Sequence, residues 1–214
     1  MKRILAAGLL LGHLGFAHRL DEYLQATLVS VEKGRAELEV RLTPGVAIVP
    51  MVLAEIDRNG DGVMSEAEQR EYADRVVRDL VVTAGGERLT PRLVSAKFPS
   101  IDEMKDGSGE IQIELETVLR SDVRNRSLTF ENGHMRQISA YLANALVPSD
   151  PGVRIAGQYR NSSQSVYRLD YVVAGAGSDW AVWGCAGALG LLVLGRVVLS
   201  KRAPKFLRRA ALEG

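Results

Sequence analysis

The sequence predicts an α+β fold, an antiparallel β-sandwich with an inserted helix–loop–helix and a C-terminal transmembrane helix. Short segments of alternating apolar and polar residues recur with turn residues between them, which is typical of a sandwich. Residues 50–80 interrupt this alternation with two segments of helical spacing around an acidic loop. Residues 180–199 carry a single charge, which is the pattern of a membrane span.

The N-terminus has the layout of a secretory signal peptide at 1–17. Two basic residues open the chain, an apolar run follows at 4–14, and Gly15 and Ala17 are the small residues that precede a cleavage site. We therefore expect cleavage after Ala17 and an exported domain at 18–178. A buried N-terminal helix is the alternative interpretation of the same run.

The first part of the exported domain predicts a hairpin at 22–43, with its turn at Lys33-Gly34. Pro44 and Pro50 end the alternation, and Pro50 favours a short helix at 51–56 because proline is tolerated in a first helical turn. Each strand of the hairpin places alternate residues on one face, which are Leu24, Ala26, Leu28 and Ser30 in the first and Ala36, Leu38, Val40 and Leu42 in the second.

Residues 65–80 form the clearest helix outside the membrane segment, since apolar residues recur there at helical spacing. Residues 79–98 predict a second hairpin over Gly85-Gly86. Residues 138–148 fit either a strand or a short helix. The sandwich is expected to have about seven or eight strands, and the later ones are expected at 110–119, 126–132, 153–161 and 165–173.

The acidic segment Asp57–Glu68 places an oxygen-bearing side chain at every second position of its first half. Gly62 then permits a sharp turn, and Glu68 lies at the start of the next helix, where both of its oxygens can close a metal shell. Such a loop supplies about seven oxygens, which suits Ca²⁺ better than the octahedral Mg²⁺. The predicted ligands are Asp57, Asn59, Asp61, the backbone carbonyl of Val63, Ser65 through a water, and Glu68.

This loop and its flanks resemble the EF-hand family over residues 52–81, because every ligand position and the helical context match. The resemblance implies a calcium site between two helices. Met64 stands where a branched aliphatic residue is usual, and we expect it to pack inward. The alternative is a solvated acidic turn in which Ser65 caps the helix and Glu68 completes a capping box, and capping and metal binding can coexist.

EF-hands usually occur in pairs, and the sequence offers no second loop. Residues 102–113 come nearest, but Met104 occupies a ligand position and Ile113 the closing one, so this segment is interpreted as a hairpin turn. A lone loop with three carboxylates outside the cell is expected to bind Ca²⁺ weakly, at about 10⁻⁴–10⁻³ M. We therefore expect a structural role for the metal more than a switching one.

The C-terminus predicts a transmembrane helix at 179–200 and a basic cytoplasmic tail at 201–214. Trp180 and Trp183 lie where an interfacial aromatic belt is expected, and positive residues after a span stay on the cytoplasmic side. The predicted signal peptide gives the same orientation. A buried core helix is the alternative. The single cysteine, Cys185, falls within the predicted span, so no disulfide is expected in the exported domain.

The wider chain, at 17–32, 42–50 and 159–171, resembles a group of bacterial exported proteins with a C-terminal transmembrane helix. This second resemblance implies a topology and no chemistry. The expected location is therefore the cell membrane, crossed once, with the exported domain periplasmic or extracellular.

We expect a calcium-binding module that recruits a protein partner and has no enzymatic activity. An alternative is an accessory subunit of a metal-transport system, in which the partner is a membrane permease and calcium is purely structural. An enzyme is the third interpretation, but no serine or cysteine lies in a recognisable nucleophile motif. The net charge of +1 gives no reason to expect nucleic acid. Copper binding by His18 and His134 is a further alternative, against two unrelated histidines.

Overall fold

The fold is built from strands whose side chains alternate between an apolar core and the surface. The structure, a computed structural model, describes residues 21–119 and 125–174. Its strands are β1 (Tyr23–Val31), β2 (Arg35–Pro44), β3 (Leu80–Ala84), β4 (Glu87–Leu89), β5 (Arg92–Lys97), β6 (Ile111–Val118), β7 (Asn125–Asn132), β8 (Ser139–Ala145), β9 (Val153–Arg160) and β10 (Val166–Val173). Its helices are α1 (Val49–Ile56), α2 (Glu66–Arg78) and α3 (Ile101–Lys105).

The strands form two five-stranded sheets, the first in the order β5-β6-β2-β1-β8 and the second in the order β4-β3-β7-β10-β9. Neighbouring strands are antiparallel except β1 and β8, which run parallel. Parallel neighbours cannot be joined by a tight turn, and the chain passes through both sheets between β1 and β8. The expectation of a mostly antiparallel β fold with few helices is confirmed, with this parallel pair as the departure.

Both sheets and the helices contribute side chains to one apolar core. A buried leucine or isoleucine side chain contributes about 1.5–3 kcal/mol relative to an exposed one, so this core is the main favourable term in folding. The fully buried members include Leu38, Leu42, Ile113 and Leu115 from the first sheet, Phe130, Tyr167 and Tyr171 from the second, and Ile56, Tyr72 and Val76 from the helices.

Strand β1 buries the face opposite to its leucines. In the β1–β2 hairpin, Val29 lies opposite Leu38 and Thr27 lies opposite Val40, so these four side chains share the core face. Because the face that β2 buries is fixed by its own apolar set, register with β2 decides which face β1 buries. The buried residues are Tyr23, Gln25, Thr27, Val29 and Val31, and the half-buried outer ones are Leu24, Ala26, Leu28 and Ser30.

The second predicted hairpin is correct for its first half only. Strands β3 and β4 pair across Gly85-Gly86 as expected, but the chain then leaves this sheet and β5 pairs with β6 of the first sheet. Pro91 stands between β4 and β5. Proline has no backbone N–H and restricts the residue before it, so the ladder ends here.

In one further segment the structure differs from the sequence interpretation, and in another it decides between two alternatives. The segment expected as a hairpin turn at 102–113 lies in the connection between the antiparallel neighbours β5 and β6, but this connection is longer than a turn, because Ser100 and Glu103 form a capping box that starts α3 and β6 begins only at Ile111. The segment 138–148, open between strand and helix, contains strand β8. The described residues therefore contain ten strands where about seven or eight were expected.

The inserted helix–loop–helix connects β2 to β3. Pro50 lies in the first turn of α1 as expected, and α2 begins after the loop with a buried face that includes Tyr72 and Val76. The guanidinium of Arg75 donates a hydrogen bond to the backbone carbonyl of Glu55 and so ties α2 to the end of α1.

The predicted signal peptide at 1–17, the transmembrane helix at 179–200 with Cys185, and the tail at 201–214 lie outside the described residues. Among the residues that the structure does describe, none of the helices has both the length and the apolar character needed to span a bilayer.

The two faces of β1 should respond differently to truncation. Val29→Ala removes methyl groups from a fully buried position and should lower the free energy of unfolding by about 2 kcal/mol. Leu28→Ala removes a larger side chain from the outer face and should lower it by less than about 1 kcal/mol. Urea denaturation followed by circular dichroism measures both, and a larger loss for Leu28→Ala would contradict the assignment of the buried face.

Candidate functional site

The loop between α1 and α2 is folded around the carboxylate of Asp57. The backbone N–H groups of Gly60 and Asp61 donate to its Oδ1 at 2.8 and 3.2 Å, and the N–H of Gly62 donates to its Oδ2 at 2.8 Å. Three successive backbone donors therefore converge on the first predicted ligand and fix the turn that follows α1.

Gly62 makes this turn possible, as the sequence predicts. Its φ is +81°, in the left-handed region, and an added Cβ would meet nothing within 4 Å. The requirement for glycine is thus conformational and not one of space, because a residue with a Cβ is disfavoured in this region by about 1–2 kcal/mol.

The next two predicted ligands, Asn59 and Asp61, bond to each other and to the loop backbone. The side-chain Nδ2 of Asn59 donates to Asp61 Oδ2 at 3.0 Å, and the N–H of Asp61 donates to Asn59 Oδ1 at 2.8 Å. The N–H of Val63 donates to Asp61 Oδ1 at 2.8 Å. The oxygens of this half of the loop are therefore held by the loop itself before any ligand is considered.

Glu68 closes the loop and caps α2 at once. Its Oε2 accepts hydrogen bonds from the N–H and Oγ of Ser65 at 3.1 and 2.7 Å, and the capping box anticipated at these two residues is present. Its Oε1 accepts from the N–H of Arg58 at 3.2 Å. This bond brings Glu68, the last predicted ligand, beside Arg58, the residue that follows the first predicted ligand. The hydrogen bonds from Ser65 lower the pKa of the Glu68 carboxyl.

The loop has the donor chemistry of a calcium site without a preset cluster of acids. In the described part of the chain, no group of three or more His, Cys, Asp or Glu side chains is arranged to hold a metal ion. The donors fit Ca²⁺ in type and in chain order, since all are oxygens. The Glu68 carboxylate, however, is a helix cap here, and it would have to exchange the Ser65 bonds for a metal.

Behind the loop lies a buried polar chain that the sequence does not reveal, which we call the tyrosine–histidine chain. The hydroxyls of Tyr23 and Tyr72 are 2.8 Å apart, Tyr72 Oη is 3.0 Å from His134 Nε2, and His134 Nδ1 is 2.8 Å from Asp79 Oδ2. It joins four parts of the fold, which are strand β1, the middle of α2, the C-terminal end of α2 and the loop after β7.

The proton positions along this chain follow from its acceptor end. A carboxylate at Asp79 can only accept, so His134 carries its proton on Nδ1 and its Nε2 accepts from the Tyr72 hydroxyl. Tyr72 in turn accepts from Tyr23. Burial lowers the pKa of the His134 imidazole and raises the pKa of both tyrosine hydroxyls, so neutral side chains suit this position.

The backbone of His134 is also fully bonded. Gln25 Nε2 and Tyr141 Oη donate to its carbonyl, each at 3.0 Å, and its N–H donates to Asn132 Oδ1 at 2.9 Å. With only 5% exposure and both ring nitrogens engaged, His134 does not offer the free imidazole that the copper alternative needs. His18, the other histidine of that alternative, lies outside the described residues.

Sequence reasoning missed this polar chain because its members are far apart in the sequence. Tyr23 and Tyr72 are separated by 49 positions and Tyr72 and His134 by 62. The one local signal is Gln25, a polar residue on the face of β1 opposite to Leu24 and Ala26.

A scan of the chain against protein-family models gives no match, and a search of the curated proteins gives none either.

Acidification should destabilise the protein through His134. Because burial places its folded-state pKa below the ordinary value of 6.5, the unfolded chain takes up a proton that the folded protein resists. The contribution of neutral His134 to the free energy of unfolding is then fully present above about pH 6.5 and declines as the pH falls below it. Thermal melts between about pH 7.5 and pH 5 should show a steeper loss for wild type than for His134→Gln. Parallel curves would exclude His134 as the responsible group.

Removing the central hydroxyl of the tyrosine–histidine chain should be more damaging than removing its end. Tyr72→Phe leaves both the Tyr23 hydroxyl and His134 Nε2 without their partner, which should lower the free energy of unfolding by about 2–3 kcal/mol. Tyr23→Phe should lower it by about 1 kcal/mol. In urea denaturation the double variant should lose less free energy of unfolding than the sum of the two single losses. Strict additivity would contradict a coupling between the two hydroxyls.

Proposed function

We propose that this protein is a membrane-anchored calcium-binding module whose exported domain contacts a protein partner. The observation that supports the metal site best is the 3.2 Å hydrogen bond from the N–H of Arg58 to Glu68 Oε1. It folds the twelfth position of the loop back to the second, which is the closure that an EF-hand-like site requires.

In this proposal the ligands divide by the kind of oxygen that they offer. Asp57, Asn59 and Asp61 offer side-chain oxygens, Val63 offers its carbonyl, Ser65 offers a bridging water, and Glu68 offers its carboxylate. Three carboxylates in one loop repel each other, and a bound Ca²⁺ supplies the positive charge that relieves this repulsion.

The tyrosine–histidine chain supports a structural role for the metal. Glu68 and Tyr72 lie one helical turn apart on α2, and Tyr72 is bonded to β1 through Tyr23 and to His134. Arg75, one turn further on, holds the end of α1 and lies over the ring of Tyr72. Calcium at the loop would therefore stabilise a helix that is already fixed to the core, and large opening motions are not expected.

The membrane anchor and the location remain proposals from the sequence. The signal-like segment at 1–17 and the apolar span at 179–200 support an exported domain tethered to the membrane by its C-terminus. The partner is then a protein that can be reached on the outer side of that membrane, and no chemistry is assigned to the domain.

Calcium should stabilise the protein, and Glu68→Gln should remove most of this effect. At a Kd of about 0.1–1 mM, 10 mM calcium adds roughly 1.4–2.7 kcal/mol to the free energy of unfolding. Glutamine can still form the capping box with Ser65, so the substitution separates metal binding from helix capping.

The measurement is isothermal titration with calcium together with thermal melts. Glu71→Gln is the matched control, because Glu71 is exposed on the same helix and pairs with Arg75, and it should respond to calcium like wild type. Failure of wild type to retain calcium at millimolar concentration would refute the metal site.

A further inference from the structure

The outer face of the first sheet carries a groove of about 320 Å³ with an acidic floor, which we call the acidic groove. Glu37 and Glu39 of β2 and Glu114 and Glu116 of β6 supply its charged lining. Among the described residues, no lysine or arginine lines it. The groove lies on the side of the sheet that faces away from the core.

The four glutamates lie in two directly opposed pairs. In the β2–β6 register Glu37 is opposite Glu116 and Glu39 is opposite Glu114. Like charges directly opposite each other destabilise a sheet. The sheet therefore keeps an arrangement on its outer face that its own folding does not favour.

Arginines at the rim neutralise this floor only in part. Arg35, Arg41 and Arg92 each contact one of its carboxylates, at 3.3, 2.7 and 3.1 Å. Arg35 and Arg41 each contact a second glutamate outside the floor as well, and Glu114 accepts from the Ser95 hydroxyl. Ion pairs as exposed as these contribute little to stability, so an incoming cation can replace them.

The walls of the groove are apolar on both sides. Because β6 and β2 are the inner strands between β5 and β1, Val94 stands on one side of the floor and Leu28 and Leu146 on the other. Val94 is 49% and Leu146 is 43% exposed. Val94 occupies the irregularity in the β5–β6 register between Leu93 and Ser95, and such bulges redirect a side chain.

We propose that the acidic groove docks a basic segment of a protein partner, in which lysine or arginine alternates with aliphatic residues. The long aliphatic stems of these cations suit apolar walls and their charged heads suit the carboxylate floor. An anionic lipid headgroup or a nucleic acid phosphate would be repelled by the same floor. The proposal takes the interaction-module part of the proposed function as its premise and does not depend on calcium.

The test measures binding of a short fluorescent peptide of alternating lysine and leucine to the full-length protein. The protein is held in a zwitterionic detergent, protein-free detergent is the blank, and fluorescence anisotropy is the readout. Wild type should bind this peptide, bind a glutamate–leucine peptide not at all, and lose affinity as salt is added. Absence of binding by the lysine peptide, or equal binding by both peptides, would overturn the proposal.

Variants locate the binding site on the molecule. The double substitution Glu39→Gln with Glu114→Gln should weaken lysine-peptide binding about tenfold. The control is Glu131→Gln, which removes a carboxylate that is also paired with an arginine but lies in the second sheet, and it should bind like wild type. Equal weakening by the control would overturn the assignment to the groove.

Two further measurements keep the result unambiguous. Val94→Ser removes apolar wall and leaves every carboxylate, and it should weaken binding several-fold, so a fold defect in the double variant would still leave the groove testable. Glu68→Gln, in the absence of added calcium, should bind the peptide like wild type. Failure of the calcium proposal and failure of the groove proposal are therefore separate outcomes.

Discussion

The position of α2 against the sheets depends on one buried hydroxyl, that of Tyr72. It lies between the hydroxyl of Tyr23 and the imidazole of His134, and this tyrosine–histidine chain ends on Asp79, the C-cap residue of the same helix. A buried polar network is tolerated only when its members are satisfied, and it then specifies a single arrangement. Helix α2 is thus fixed at its middle and at its end, while its first turn, at the acidic loop, is held by the solvent-exposed hydrogen bonds of the capping box.

This constraint decides what the loop can do. The first turn of α2 contains Glu68, whose carboxylate is shared between the cap at Ser65 and the closure at Arg58. Because the helix beyond it cannot move freely, a metal in the loop would compete with the cap for Glu68 and would leave the packing of Tyr72 unchanged. The affinity of the proposed site would then be set by the local exchange of hydrogen bonds for metal bonds, as expected for a weak, structural site.

Most features encoded within about a dozen residues could be predicted from the sequence, with the short helix α3 and its capping box as an exception, and features that join distant residues could not. The hairpin at Lys33-Gly34, the turn at Gly62 and the cap at Ser65 all depend on near neighbours. The parallel pairing of β1 with β8 and the tyrosine–histidine chain depend on contacts across 49 to 116 positions. Periodicity identified the strand β1 but not its buried face, because register with β2 decides that face.

The two proposed sites use carboxylates in opposite ways, and this difference selects their cations. In the loop, carboxylates on one tightly turned segment are held by backbone N–H groups and can converge on a point, which suits a small hard ion. In the acidic groove they stand on adjacent strands, with Cβ atoms about 5 Å apart, and are held by exposed arginines. Such spacing matches the spread charge of a guanidinium or a row of ammonium groups.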